Sequence, residues 1–191
     1  RRLQLSLYES ALSEEMYTTV TQSLRRTFHR VTAVHTFPLV TWTVLKSVDP
    51  TLREYLLVEV GSEVTDVALV RRGVLLETAS FPVGASTLLR ALAKKLKTST
   101  SEARSMMRLL AEGTMERARA DALTTLLAEV RTQTLNGLTA VCKQLGERLT
   151  LPQELLLVSA PEYARWFGEA FSDTACAPFT TLNDPFHIRV L

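Results

Sequence analysis

The chain has 191 residues, 46% of them hydrophobic and 22% charged, with 22 Lys and Arg against 20 Asp and Glu, for a formal charge of +2. An apolar share of that size excludes a disordered chain, and two surplus positive charges are too few for a dedicated nucleic-acid surface. No apolar run reaches the ~18 residues of a membrane span. The length suits one large domain or two small ones. The chain opens on Arg1-Arg2 and not on Met, which reads as a fragment or a processed chain. Cys142 and Cys176 stand far apart in sequence, without zinc or disulfide spacing, so a reducing cytoplasm is the expected setting.

In chain order, residues 3–8 alternate Leu3, Leu5 and Leu7 with polar positions, as a half-buried strand does. Residues 11–28 place Met16, Val20, Leu24 and Phe28 on one helical stripe, with Ser13 as cap and Glu14 and Glu15 against the dipole. A short strand over 31–36 leads to Pro38, which suits the first turn of a helix over 39–48. Residues 55–60, 64–70 and 74–81 read as three strands joined by tight turns, a β-meander. Beyond them the chain is mostly helical. The spacing predicts a helix over 86–97, then one opened by the capping box Ser99-Thr100-Ser101-Glu102 and running to Leu110. Residues 114–149 read as one long helix or two, with a bend allowed at Gly137. A buried strand over 154–158, a helix over 161–171 opening on proline, and weak strands at 180–182 and 188–191 complete the α/β pattern.

Common catalytic signatures are missing: there is no GxxxxGK[ST], GxSxG, HExxH or CxxC, and His29, His35 and His187 have no metal-ligand spacing. No catalytic residue is assigned. Glu14-Glu15 is a solvated helix start, and Lys94, Lys95, Lys97 and Arg90 form a solvated helix face without interleaved aromatics. Residues 57–70 stand out. A buried strand ends on the acid Glu59, turns through Gly61-Ser62-Glu63-Val64, and returns as a strand after Thr65-Asp66. Such a turn can be an ordinary hairpin, or it can aim backbone N–H groups at a phosphate while the acid holds a hydrated divalent ion.

This stretch resembles the second phosphate loop of actin-like ATPases, a strand–DxGxxTTD–strand hairpin, and most of all the bacterial branch of the cell-division protein FtsA and the pilus assembly protein PilM. The resemblance continues in order through Phe37-Pro38-Leu39-Val40, Ser80-Phe81-Pro82-Val83-Gly84-Ala85, the capped helix from Ser99, residues 155–167, and Asn183-Asp184-Pro185-Phe186. It implies an actin-like (ribonuclease-H-like) two-lobed fold, incomplete at the N-terminus. Residues 1–82 would form a first lobe, comprising the end of a small subdomain and a mixed sheet. Residues 83–191 would form a helix-rich second lobe. It further implies ATP and Mg as cofactors, held by Glu59, Gly61, Ser62, Glu63, Thr65, Asp66, Ser159 and Ala160, with Glu59 toward the metal.

The chain departs from the pattern where Glu59 replaces the loop aspartate, where Glu63 and Val64 replace small residues, where Arg104 and Met107 replace the Glu and Lys near the ribose, and where Ser159-Ala160 replace the adenine-side Gly-Gly. The resemblance therefore points to a scaffold or adaptor of a membrane-associated assembly machine, for type IV pili or cell division, with an eroded nucleotide site. Its partner would be a cytoplasmic peptide of an inner-membrane protein or a tubulin-like division protein. Self-association is compatible with it, and the location would be the cytoplasm with recruitment to the inner face of the membrane. The alternative is a working ATP-binding switch with weak ATPase activity at 61–66. A sugar or acetate kinase finds no general base.

Overall fold

The computed structural model describes residues 9, 11–28, 33–147 and 149–191. The strand expected at 3–8 and the start of the one expected at 31–36 lie outside them, and residues 33–36 are not in a strand. Helices α1 (Glu14–Phe28) and α2 (Phe37–Val48) precede the strands β1 (Tyr55–Val60), β2 (Thr65–Arg71) and β3 (Val74–Phe81). Helices α3 (Ala85–Leu96), α4 (Thr100–Ala111), α5 (Arg117–Leu126) and α6 (Ala128–Gly146) follow. The chain then runs through β4 (Glu154–Val158), α7 (Pro161–Phe171), a 3-10 turn (Thr174–Phe179) and β5 (His187–Val190).

One five-stranded sheet has the order β3-β2-β1-β4-β5. The meander β1–β2–β3 is antiparallel, whereas β4 lies parallel to β1, and β5 parallel to β4. The sheet thus draws strands from both sides of residue 82. Burial on both faces explains why β1 and β4 read as continuous apolar runs. Alternation divides β1. Leu56, Val58 and Val60 join the larger core under α3, α4, α6 and α7, and Tyr55 and Leu57 join a smaller one under α2 with Leu39, Trp42 and Leu45.

The capping box forms as read: Ser99 Oγ accepts from the Glu102 N–H at 3.2 Å, and the Ser99 N–H donates to Glu102 Oε2 at 2.9 Å. Ser99→Ala is expected to cost about 1 kcal/mol, measured as a lowered urea midpoint; an unchanged midpoint would show that the cap is dispensable. The 114–149 helix is two helices, and its break is at Leu127, not at Gly137. Leu127 is fully buried with φ −92°, and the carbonyl freed at Leu126 accepts from Lys95 Nζ at 2.9 Å. Gly137 serves a different purpose: α6 crosses β3 there, and a Cβ would stand 2.4 Å from the Phe81 ring. The strand expected at 180–182 reduces to a single parallel bridge between Leu151 and Thr180. Far apart in sequence, Cys142 and Cys176 are neighbours in the fold, both fully buried, and the Cys176 thiol together with burial pushes Cys142 upward. The α1 stripe of Met16, Val20, Leu24 and Phe28 is exposed; of the helix only Thr21 is buried.

Candidate functional site

Parallel pairing of β1 with β4 brings Glu59 opposite Val158. The turn after β1 and the residues Ser159 and Ala160 after β4 therefore emerge side by side at the carboxyl end of the sheet, where open α/β sheets bind ligands. The structure gathers all eight predicted residues at this edge but divides them among three environments.

Glu59 and Asp66 form the first. They are cross-strand partners on the α2 side of the sheet, with Ser80 next in the same row. They line an open cleft with Thr36, Phe37 and Pro38 at the start of α2, and with Thr78 and Ser80 on β3. Burial, and secondly the Asp66 charge, push Glu59 up from 4.5 to about 7; burial also raises Asp66. A carboxyl raised on folding weakens the fold as it ionises. Below about pH 4.5 Glu59 is protonated in both folded and unfolded chains and costs nothing. Between there and about pH 7 the unfolded chain gives up its proton first, so stability falls across that window and stays low above it. Glu59→Gln is expected to flatten this decline, seen as urea midpoints that diverge from wild type between about pH 5 and about pH 8, the variant being the more stable at the upper end. Parallel midpoints would refute the assignment.

The second environment is the turn itself, which leans on the start of α3. The Gly61 N–H donates to Val64 O at 2.9 Å. The Gly61 and Ser62 carbonyls accept from the Ala85 and Ser86 N–H groups at 3.0 and 2.8 Å. Two first-turn donors of α3, which would otherwise face outward, are thus satisfied by the turn. Ser62 Oγ and Ser86 Oγ share a hydrogen bond at 2.7 Å, and the Arg90 guanidinium donates to both Glu63 oxygens at 2.6 and 2.7 Å. The hydrogen bonds from Arg90, aided by its charge, hold the Glu63 carboxyl below its usual range. Thr65 points inward, fully buried, and its Oγ1 donates to Val83 O at 2.7 Å. Gly84 is what lets the turn and helix meet: a Cβ there would lie 2.5 Å from Ser62 O and 2.7 Å from Gly61 O.

The third holds Ser159 and Ala160, which lead into α7. Ala160 O accepts from the Tyr163 N–H at 2.9 Å, and Ser159 Oγ donates to Ala160 O at 3.4 Å. Of the positions that the resemblance set near a ribose, Met107 is in the core at 1% exposure and Arg104 lies on the surface beside Ser101 and Arg90. Sequence reading missed Ser86 and Arg90 as partners of the turn. By spacing alone Arg90 falls on a solvated helix face, and nothing local in the sequence links it to Glu63. Among the described residues no three His, Cys, Asp or Glu stand close enough to hold a metal ion. None of the described helices is long and apolar enough to cross a membrane.

No family model matches the sequence, and no curated protein matches it. Solved structures do. The ethanolamine utilization protein EutJ from Carboxydothermus hydrogenoformans matches with 19% identity over 77% of this chain and 48% of its own, at a TM-score of 0.50. A PilM-PilN type IV pilus biogenesis complex matches with 16% identity over 93% of this chain and 48% of the matched chain, at a TM-score of 0.65. The chain spans about half the length of the solved structures it matches. With its mixed five-stranded sheet in the order β3-β2-β1-β4-β5, the chain has the actin-like ATPase fold.

Proposed function

We propose that the chain is an actin-fold scaffold that works by binding a protein partner, not by turning over nucleotide. The observation that carries this reading is the commitment of the 61–66 turn to its own fold. Its Gly61 and Ser62 carbonyls, its Ser62 hydroxyl, its Glu63 carboxylate and its Thr65 hydroxyl all bond to residues 83–90. An incoming triphosphate would have to open the Glu63–Arg90 pair at the turn, and would meet the side chains of Ser159 and Ala160 where a base needs bare backbone. Both features support the reading of an eroded nucleotide site.

The partner proposed is a cytoplasmic segment of an inner-membrane assembly protein, with the scaffold recruited to the inner face of the membrane. The likeness to a PilM chain seen together with PilN supports a pilus-type machine over a division one. A tagged chain incubated with detergent extract of inner membranes should retain one membrane protein through its cytoplasmic segment, and that segment alone should compete it off. Retention of none by several tagged versions would overturn the reading.

One observation favours the second reading, an ATP-binding switch: Glu59 and Asp66 form a half-buried acidic pair at the sheet edge, where a metal-bound water could be held. The two readings part in a melting experiment. A ligand at a hundred times its dissociation constant stabilises by about 2.7 kcal/mol, a rise of roughly 5–10 °C for a chain of this size. With millimolar ATP and Mg the scaffold reading expects a shift within error. A rise of several degrees, abolished by Asp66→Asn, would establish the switch instead.

A further inference from the structure

Away from the sheet edge, α4, α5 and α7 line a hollow of about 160 Å³. Its floor is apolar: Met107 from α4, 1% exposed, Leu110 one turn on, and Trp166 from α7, 7% exposed. Its rim is acidic, with Asp121 from α5 and Glu162 and Glu169 from α7, against the single lining cation Arg165. Arg165 is already held by Glu169, Nε to Oε1 at 2.9 Å, and among the described residues Asp121 and Glu162 have no ion-pair partner. The lining is therefore net negative on a chain whose formal charge is +2. Methionine and tryptophan together make an adaptable apolar surface, the kind that receives the apolar side chains of a helical peptide.

We propose that this hollow is a docking site for a basic amphipathic helix of a partner protein, which seats one apolar side chain on the Met107–Leu110–Trp166 floor while its lysines or arginines reach Asp121 and Glu162. A neutral or acidic segment with the same apolar pattern leaves the two rim carboxylates desolvated without a partner, so charge selects the occupant. The site is distinct from the turn at 61–66, and its test does not touch that turn.

Trp166 supplies the readout, because Trp42 is the other of only two tryptophans and Trp42→Phe isolates it. The probe is an acetylated, amidated peptide of about twelve residues in the repeat Leu-Lys-Lys-Leu, titrated at low salt into the full chain, beside its Leu-Glu-Glu-Leu counterpart. The lysine peptide is expected to shift Trp166 emission saturably. Asp121→Asn combined with Glu162→Gln, both on the rim, is expected to weaken it about fivefold, the size that two partly exposed charge pairs give. The glutamate peptide is expected to leave the emission unchanged. Equal response to both peptides, or no weakening in the double variant, would overturn the proposal. So would competition by hexylamine as tight as the peptide's own binding, which would make the hollow a small-amine site.

Discussion

Gly84→Ala is expected to destabilise the fold by about 3 kcal/mol, lowering the melting temperature by roughly 6–12 °C. The reason is steric. Gly84 has an extended backbone at φ −144°, open to any residue, but its Cβ would press within 2.5–2.7 Å of the Ser62 and Gly61 backbone. A flexible side chain could swing aside; these atoms cannot, because they hold the Ala85 and Ser86 N–H groups. The turn must therefore lift off α3 or the helix must retreat, and either movement strains the Thr65–Val83 and Glu63–Arg90 links. Gly146→Ala is the matched control, since its nearest neighbour would be at an ordinary 3.8 Å, and near a helix end alanine is expected to be neutral or mildly stabilising. Hydrogen exchange should localise the loss to residues 61–66 in the first variant and show no such focus in the second. Equal midpoints for the two variants would show that the turn does not depend on this approach.

Phe167→Ala is expected to cost about 3–5 kcal/mol, the range for deleting a fully enclosed aromatic. Phe167 has 0% exposure, meets the Trp166 ring edge-on at 4.9 Å and 88°, and stands 5.7 Å from Phe171. It sits where α7 is squeezed between the sheet and α4, so the void has little chance to collapse. Phe167→Leu, which keeps most of the volume, is expected to lose less than half as much. The check is guanidinium unfolding in a Trp42→Phe background, followed at Trp166, whose emission should also redden in the alanine variant as its neighbour disappears. A loss below about 1 kcal/mol would mean that the site repacks freely.

What the sequence made legible follows from which forces are local. Strands β1 and β4 read clearly, with the residues the structure gives them, because burial on two faces leaves no choice but an apolar run: Leu56, Leu57 and Val58 in one, Leu155, Leu156 and Leu157 in the other. The Ser99 cap was equally readable, since its partner is three residues away. By contrast, the break at Leu127 carries no glycine or proline, and the Leu126 carbonyl is satisfied by Lys95 from another helix. Gly137 looked like a weak point of a helix and is instead the place where Phe81 fits. Within the candidate site the order of residues from Glu59 to Asp66 announced a sharp turn at a sheet edge. Its division did not show, because whether Glu63 faces a ligand or Arg90 is decided by a residue one helix later in the chain. Trp166 is more than nine-tenths buried, and it also floors the α4–α5–α7 hollow.

The parallel seam between β1 and β4 has a consequence for how the protein comes into being. It joins Leu56 to Leu155 and Val58 to Leu157, so the middle of the sheet is completed by residues made long after the meander. Hairpins close in microseconds, but a seam of such separation must first overcome the entropy of the long intervening segment, so its zipping sets the pace of maturation. During synthesis the nascent β1 carries one unsatisfied row of amides and carbonyls flanked by leucines, the sort of open border that recruits other chains. Chains interrupted anywhere between the meander and residue 154 should therefore be the species that clump, and a chaperone that shields that border should raise the yield of intact protein.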